Sequence, residues 1–211
     1  MNNYFIAIAG NIGVGKTTMT KLISEKLGWQ AFYEPVIENP YLDDFYKDMN
    51  RWSFHLQVYF LSKRFEIQKM VFEKNISCIQ DRTIYEDVEI FARTLHKQGF
   101  MNDRDFDNYQ ELFKNMTYYL CIPNLIVYLR ASLDELLLRI KQRGRESEKN
   151  ISPEYLGELN RAYEAWISRA KKMTQVLTID ANHYTQLEIE AQAEQIIHKI
   201  EEFCPPSVFE R

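Results

Sequence analysis

The apolar run YFIAIA at residues 4–9 passes without a spacer into GNIGVGKTT at residues 10–18, and an amphipathic stretch follows. That succession describes a strand, a tight turn and a helix. From Gly10 to Thr17 the chain fits G-x-x-x-x-G-K-[ST] without a mismatch. A turn so rich in glycine lets backbone N–H groups converge on a phosphate chain, and the helix N-terminus behind it adds partial positive charge. Lys16 is expected to reach the β and γ phosphates and the Thr17 hydroxyl to sit on Mg²⁺. Gly10, Asn11, Ile12, Gly13, Val14, Gly15, Lys16, Thr17 and Thr18 are thus the expected nucleotide-binding residues. A merely tight strand-to-helix turn explains one or two glycines, but not the Lys-Thr pair behind them.

The rest of the chain fits the same plan. ISCIQ ending at Gln80, LIVYLR at 125–130, VLTID at 176–180 and a weaker AFYEPV at 31–36 are near-continuous in apolar residues. Strands read this way when helices cover both faces of a parallel sheet. Helical patterns fill the gaps. In SLDELLLRIKQRGR the residues Leu133, Leu136, Leu137 and Ile140 form one stripe, with Ser132 and Glu135 at capping-box spacing. The expectation is an α/β fold with a five-stranded parallel sheet, right-handed crossovers and a site at the carboxyl ends of the strands.

At 211 residues the chain suits one domain, 1–203, followed by a tail at 204–211 whose paired prolines stop the last helix. A net charge of -4 argues against a nucleic-acid polymer as partner. Cys78, Cys121 and Cys204 are odd in number and widely spaced, which suits reduced thiols in a cytosolic protein. No stretch reads as a signal peptide or membrane span.

The glycine loop is shared by switch proteins, motors and small-molecule kinases, so the chemistry has to be read elsewhere. Neither N-K-x-D nor D-x-x-G, the motifs of GTPases, is present. DRT at 81–83 follows the third apolar run instead, placing Asp81 to hold the metal and Arg82 to face the same crevice. Arg139 and Arg143 share a helix face, and Gly144 marks a hinge before Arg145. Such a lid can swing arginines onto a transferring phosphoryl group.

GNIGVGKTT, YEPV, FYKDMNRWSFHLQVYFLSKR, DRTIYED, LLLRIKQRGR and VLTID stand in the order and spacing of the deoxycytidine, deoxyguanosine and deoxyadenosine kinases. From about residue 4 to about residue 183 the chain resembles this deoxynucleoside kinase family, in particular a bacterial, deoxyadenosine kinase-like member. The resemblance implies a P-loop kinase fold with an arginine-rich lid at about 141–152, and ATP-dependent 5'-phosphorylation of a deoxyribonucleoside in nucleoside salvage. It also implies a cytoplasmic homodimer built from helices in the 50–120 region. Deoxyadenosine is the favoured acceptor, then deoxyguanosine or deoxycytidine.

Carried over position by position, Glu34 resembles the general base, a role typically worth ~10² to 10⁴ in rate. Arg82 matches the arginine beside that base, and Lys16, Arg143 and Arg145 those on the transferred group. Arg139 and Asp180 match nucleotide contacts. Asp81 stands where many members have glutamate, so it would reach Mg²⁺ through water. Tyr46 and Glu148 fall where the family grips the sugar 3'-hydroxyl, with Glu146 a second carboxylate nearby, and the bulk of Tyr46 disfavours a ribose 2'-hydroxyl. Gln57 matches the amide that reads the base with donor and acceptor side by side. Arg64 and Asp87 match two further base-facing positions; Phe91, Trp52 and Phe54 are expected to wall the pocket, and Phe60 to tighten it.

Two rival readings make separate demands. A thymidylate kinase, which phosphorylates a monophosphate, typically shows glycines after its E-P, and EPVIENPYLD has none. A non-catalytic nucleotide-binding regulator leaves Glu34, Tyr46, Gln57 and the lid arginines without a purpose.

Overall fold

The computed structural model describes residues 3–34, 39–74, 76–117, 120–182 and 185–203. Five strands, β1 (Phe5–Ala9), β2 (Gln30–Phe32), β3 (Cys78–Asp81), β4 (Leu125–Arg130) and β5 (Gln175–Asp180), form one parallel sheet in the order β2-β3-β1-β4-β5. β1 takes the middle because every residue of FIAIA is apolar and buried, and β4 is buried up to Arg130. The edge strands β2 and β5 retain exposed positions, so the apolar character expected of every strand holds for the interior ones. The boundaries also differ from the expected ones. The weak second run yields a strand only at Gln30–Phe32, with Pro35 and Val36 outside the described residues, and the third strand runs on to Asp81. Ile8 pairs with Asp81 across the ladder, which sets that carboxylate beside the mouth of the glycine loop.

The helices are α1 (Lys16–Leu27), α2 (Leu42–Lys47), α3 (Met49–Lys74), α4 (Ile84–Glu86), α5 (Arg93–Lys97), α6 (Asp103–Thr117), α7 (Leu133–Arg143), α8 (Pro153–Ala170) and α9 (Gln186–Phe203). Between α4 and α5 the backbone widens into a π-helical stretch, Asp87–Ala92, and a 3-10 turn spans Glu146–Glu148. One cluster of buried apolar side chains joins the sheet to its helices, with Ile6, Ile8 and Val127 at its centre and Met19, Leu136 and Ile196 packed in from α1, α7 and α9. The tail at 204–211, with its paired prolines, lies outside the described residues.

Helix α7 corrects one local expectation. Ser132 caps it, its Oγ accepting the Glu135 N–H at 3.3 Å, but the reciprocal arm of a capping box is absent. The Glu135 carboxylate accepts from Arg139 Nε at 2.7 Å, and the Ser132 N–H donates to Asn182 Oδ1 at 2.9 Å. A charged neighbour one turn along offers Glu135 more than a backbone amide that already has a partner. Gly144 ends the helix in the left-handed conformation, at φ 66°.

Candidate active site

The loop between β1 and α1 needs its glycines for close approach. A side chain at Gly10 would stand 2.6 Å from the Leu129 carbonyl oxygen, and one at Gly13 2.8 Å from the Ile140 side chain. Asn11 faces away from the loop's mouth, its Nδ2 donating to the Leu156 carbonyl and to Asn160 Oδ1, and Val14 is buried in the core. Lys16 donates from Nζ to the Asn11 carbonyl at 3.0 Å. Burial, reinforced by the charge of Arg82, lowers its pKa to about 8.

A cleft of about 590 Å³ opens from this loop along the strand ends. Lys16, Thr17, Thr18, Arg139, Arg143 and Arg145 line one end; Phe45, Tyr46, Gln57, Phe60, Asp87 and Phe91 line the other. Glu34, Asp81, Arg82 and Glu148 stand between. Arg82 has φ 63°, a left-handed backbone rare outside glycine, and this bend at the end of β3 turns its side chain back over the sheet. Its Nη1 donates to Glu34 Oε1 at 2.9 Å and its guanidinium lies 4.3 Å from the centre of the Phe91 ring. Arg64, from the buried face of α3, donates from Nη2 to the same Glu34 oxygen at 2.5 Å and contacts Asp87 Oδ1 through Nη1 at 2.8 Å.

These contacts set the protonation states. Burial opposes ionisation of Glu34, but Arg82, Arg64 and Lys16 overcome it and hold its pKa at about 2. At Asp87 burial wins against Arg64 and pushes the carboxyl up to about 7. Thr17 Oγ1 donates to Asp81 Oδ2 at 2.6 Å; the other oxygen, Oδ1, is buried without a partner among the described residues. Just beyond α7, Glu148 is buried and accepts from both Arg143 and Arg145, whereas Glu146 is exposed and pairs with Lys149.

The sequence family can be set beside this geometry: the Deoxynucleoside kinase family matches residues 6–205. The chain belongs to the deoxynucleoside kinase family. This deoxynucleoside kinase is 43% identical over 200 residues to the deoxyadenosine/deoxycytidine kinase of Bacillus subtilis (strain 168), covering 94% of this chain and 92% of that one. Over 187 residues it is 40% identical to the deoxyadenosine kinase of Dictyostelium discoideum, covering 89% and 76% of the two chains. A structure of the deoxyadenosine kinase from M. mycoides with the products dCMP and a flexible dCDP superposes with a TM-score of 0.84 at 34% identity, covering 94% of this chain and 99% of that one. The expected family, the five-stranded parallel fold and the kinase activity on deoxynucleosides therefore hold.

Several expected site residues of the kinase sit differently from the expectation. Asp180 is not part of the cleft wall; its Oδ1 accepts from the N–H and Nδ2 of Asn182 at 2.9 and 2.8 Å. Arg139 lines the cleft, but its guanidinium donates to the Val14 carbonyl at 3.1 Å and the Ala181 carbonyl at 2.5 Å, tying the loop to the end of β5. Arg64 lies behind the wall rather than on it. Trp52 and Phe54 do not line the cleft either. Trp52 is one turn before Leu56 on the same face of α3 and packs against Tyr41 and His55, while Phe54 lies about 200° around the helix from Leu56. Leu42, Phe45, Leu56 and Tyr155 line the cleft and were not foreseen, since nothing separates them from core residues in the sequence. Glu86 was also missed, although Thr83 and Glu86 stand at capping-box spacing and do form that box.

Proposed function

We propose that this deoxynucleoside kinase transfers the γ-phosphoryl group of ATP to the 5'-hydroxyl of deoxyadenosine by preference, with deoxycytidine next and deoxyguanosine a weaker substrate. One observation carries the choice of base. Gln57 Oε1 and, in the ionised form of its carboxyl, Asp87 Oδ2 are buried acceptors on cleft-lining residues, and neither has a partner among the described residues. Two waiting acceptors suit the amino group that adenine carries at C6 and cytosine at C4, and leave the carbonyl that guanine and thymine carry at those positions unsatisfied. The B. subtilis deoxyadenosine/deoxycytidine kinase and the M. mycoides deoxyadenosine kinase with bound dCMP support the same pairing of adenine with cytosine.

Glu34 holds the 5'-hydroxyl and takes its proton. With a pKa of about 2 it is a weak base, so proton transfer comes late, after the phosphoryl group has largely left its donor. Arg82 keeps the carboxylate aimed. Lys16, Arg143 and Arg145 stabilise the charge spread over the phosphoryl oxygens, the lid arginines exchanging Glu148 for phosphate as they do so. Tyr46 and Glu148 take the sugar 3'-hydroxyl, and Arg64 fixes Asp87 against the base.

The donor set beside the loop fits Mg²⁺: Thr17 Oγ1 and the unpaired Asp81 Oδ1 are hard oxygens, and a magnesium site commonly takes few protein ligands and completes itself with water and phosphate. The ion, when bound, would neutralise charge on the donor phosphates. The same proposal includes a single domain over 1–203 with a lid at about 141–152, a homodimer and a cytoplasmic location. Exposed Phe72 on α3 supports the dimer, and the free thiols Cys78 and Cys121 suit a reducing compartment.

The test is ATP-dependent phosphorylation of deoxyadenosine, deoxycytidine, deoxyguanosine, thymidine and thymidine monophosphate side by side. Deoxyadenosine should give the highest kcat/KM, and Glu34→Gln should lower kcat by at least ~100-fold. A preference for deoxyguanosine or thymidine would sink the base assignment. An undiminished Glu34→Gln rate would sink the role of Glu34.

A further inference from the structure

Glu86 has no role in the scheme above, yet it is fully buried and touches both halves of the site. Its Oε1 accepts the Gly10 N–H at 3.4 Å and the Tyr163 hydroxyl at 2.9 Å. Its Oε2 accepts the Thr83 N–H at 2.8 Å and the Thr83 hydroxyl at 3.4 Å. Gly10 opens the phosphate loop, Thr83 follows Arg82, and Tyr163 belongs to α8, which also grips the loop through Asn160 and Asn11.

Capping the short helix α4 requires only the arm to Thr83. The second arm, to Gly10 and Tyr163, joins the helix start to a loop 76 residues earlier in the chain. Each carboxylate oxygen faces one backbone N–H, a donor that cannot reverse its polarity, so both arms need an acceptor. A carboxylate supplies two acceptors, whereas an amide of the same size supplies one. Arg82 completes the corner: its N–H donates to the Ile8 carbonyl at 3.1 Å and its Nη2 to the Gly10 carbonyl at 3.5 Å. A left-handed arginine persists where its surroundings over-determine it, and here they do.

We infer that Glu86 is a positioning residue that locks the phosphate loop at Gly10 to the Arg82 turn, fixing the separation between the donor phosphates and the Glu34–Arg82 pair. The inference rests on the reading of Glu34 and Arg82 given above. It assigns Glu86 no contact with either substrate, so its loss misaligns two correctly bound reactants.

The experiment is Glu86→Gln, with kcat measured at saturation and the dissociation constants of deoxynucleoside and of a non-hydrolysable ATP analogue measured separately by calorimetry. Misalignment of the reacting atoms predicts a kcat lower by about 10²-fold with each dissociation constant changed by less than about 3-fold. Tyr163→Phe removes one donor and keeps the carboxylate, so kcat should fall by only about 3- to 10-fold. A folded Glu86→Gln enzyme that keeps its kcat overturns the inference. So does a matched loss of kcat and of both affinities, which is what general loosening produces. Should Glu86→Gln fail to fold, an unchanged kcat in Tyr163→Phe overturns it instead. Glu34→Gln separates the two readings. Full activity there beside a slow Glu86→Gln removes Glu34 as base and leaves Glu86 acting through the loop, whereas a slow Glu34→Gln beside a normal Glu86→Gln removes only this inference.

Discussion

Lys16 illustrates how a single side chain reports the state of the site. Its ammonium donates to the Asn11 carbonyl, and burial, reinforced by Arg82, lowers its pKa to about 8. A triphosphate favours the charged form, so binding takes up a proton wherever Lys16 is partly neutral. Calorimetry of ATP-analogue binding in buffers of different ionisation enthalpy should register uptake of roughly 0.7 proton at about pH 8.5 and almost none near pH 6.5. Lys16→Met should abolish the uptake at the higher pH. The folded pKa is depressed below the ordinary lysine value of 10.5, so the folded state binds fewer protons than the unfolded one between about 8 and 10.5, and stability rises with pH across that window. Glu34 slopes in the same direction at lower pH. Its depressed pKa of about 2 stabilises the fold above the unfolded carboxylate range and the contribution is lost as pH falls through it.

At the level of elements, the glycines that turn the chain differ in what surrounds them. Gly144 has φ 66° and open space where a side chain would go, so Gly144→Ala carries backbone strain alone and should cost about 1 kcal/mol in urea unfolding. Gly13→Ala adds contacts of 2.8 Å with Ile140 and 3.2 Å with the Leu136 carbonyl to a φ of 85°, and should lower the unfolding midpoint further and weaken ATP binding. Equal costs for the two would show that the loop yields easily. The glycine loop, the interior strands and α7 were legible because their signals are local: spacing, apolar continuity and caps. The π-helical stretch that carries Asp87 and Phe91 was not, since its widened turn depends on what packs around it. The same reason explains Trp52 and Phe54: the sequence identifies an aromatic helix face, while the position of the cleft along α3 comes from α2 and α8. Glu135 shows the limit of motif spacing, because the nearby Arg139 outcompetes the backbone arm a capping box expects.

For the whole molecule, the exposed side of α3 is the place to test assembly. Phe72 is 66% exposed there, beside the buried Val71. Phe72→Asp should shift the sedimentation profile of the proposed dimer toward monomer while leaving the fold intact; a profile that does not move would remove Phe72 from any role in assembly. The cleft itself has a property that follows from its pairings. Glu34 answers Arg64 and Arg82, and Glu148 answers Arg143 and Arg145, so the cations prepared for substrate arrive with tethered counterions. A free sulfate or inorganic phosphate would have to displace a carboxylate anchored to the chain and has no sugar or base to offset that exchange. These four arginines are in this way buffered against the simple anions around them and become available only to a ligand large enough to rearrange several pairs together, whereas Lys16, whose partner is a carbonyl, has no tethered counterion to exchange.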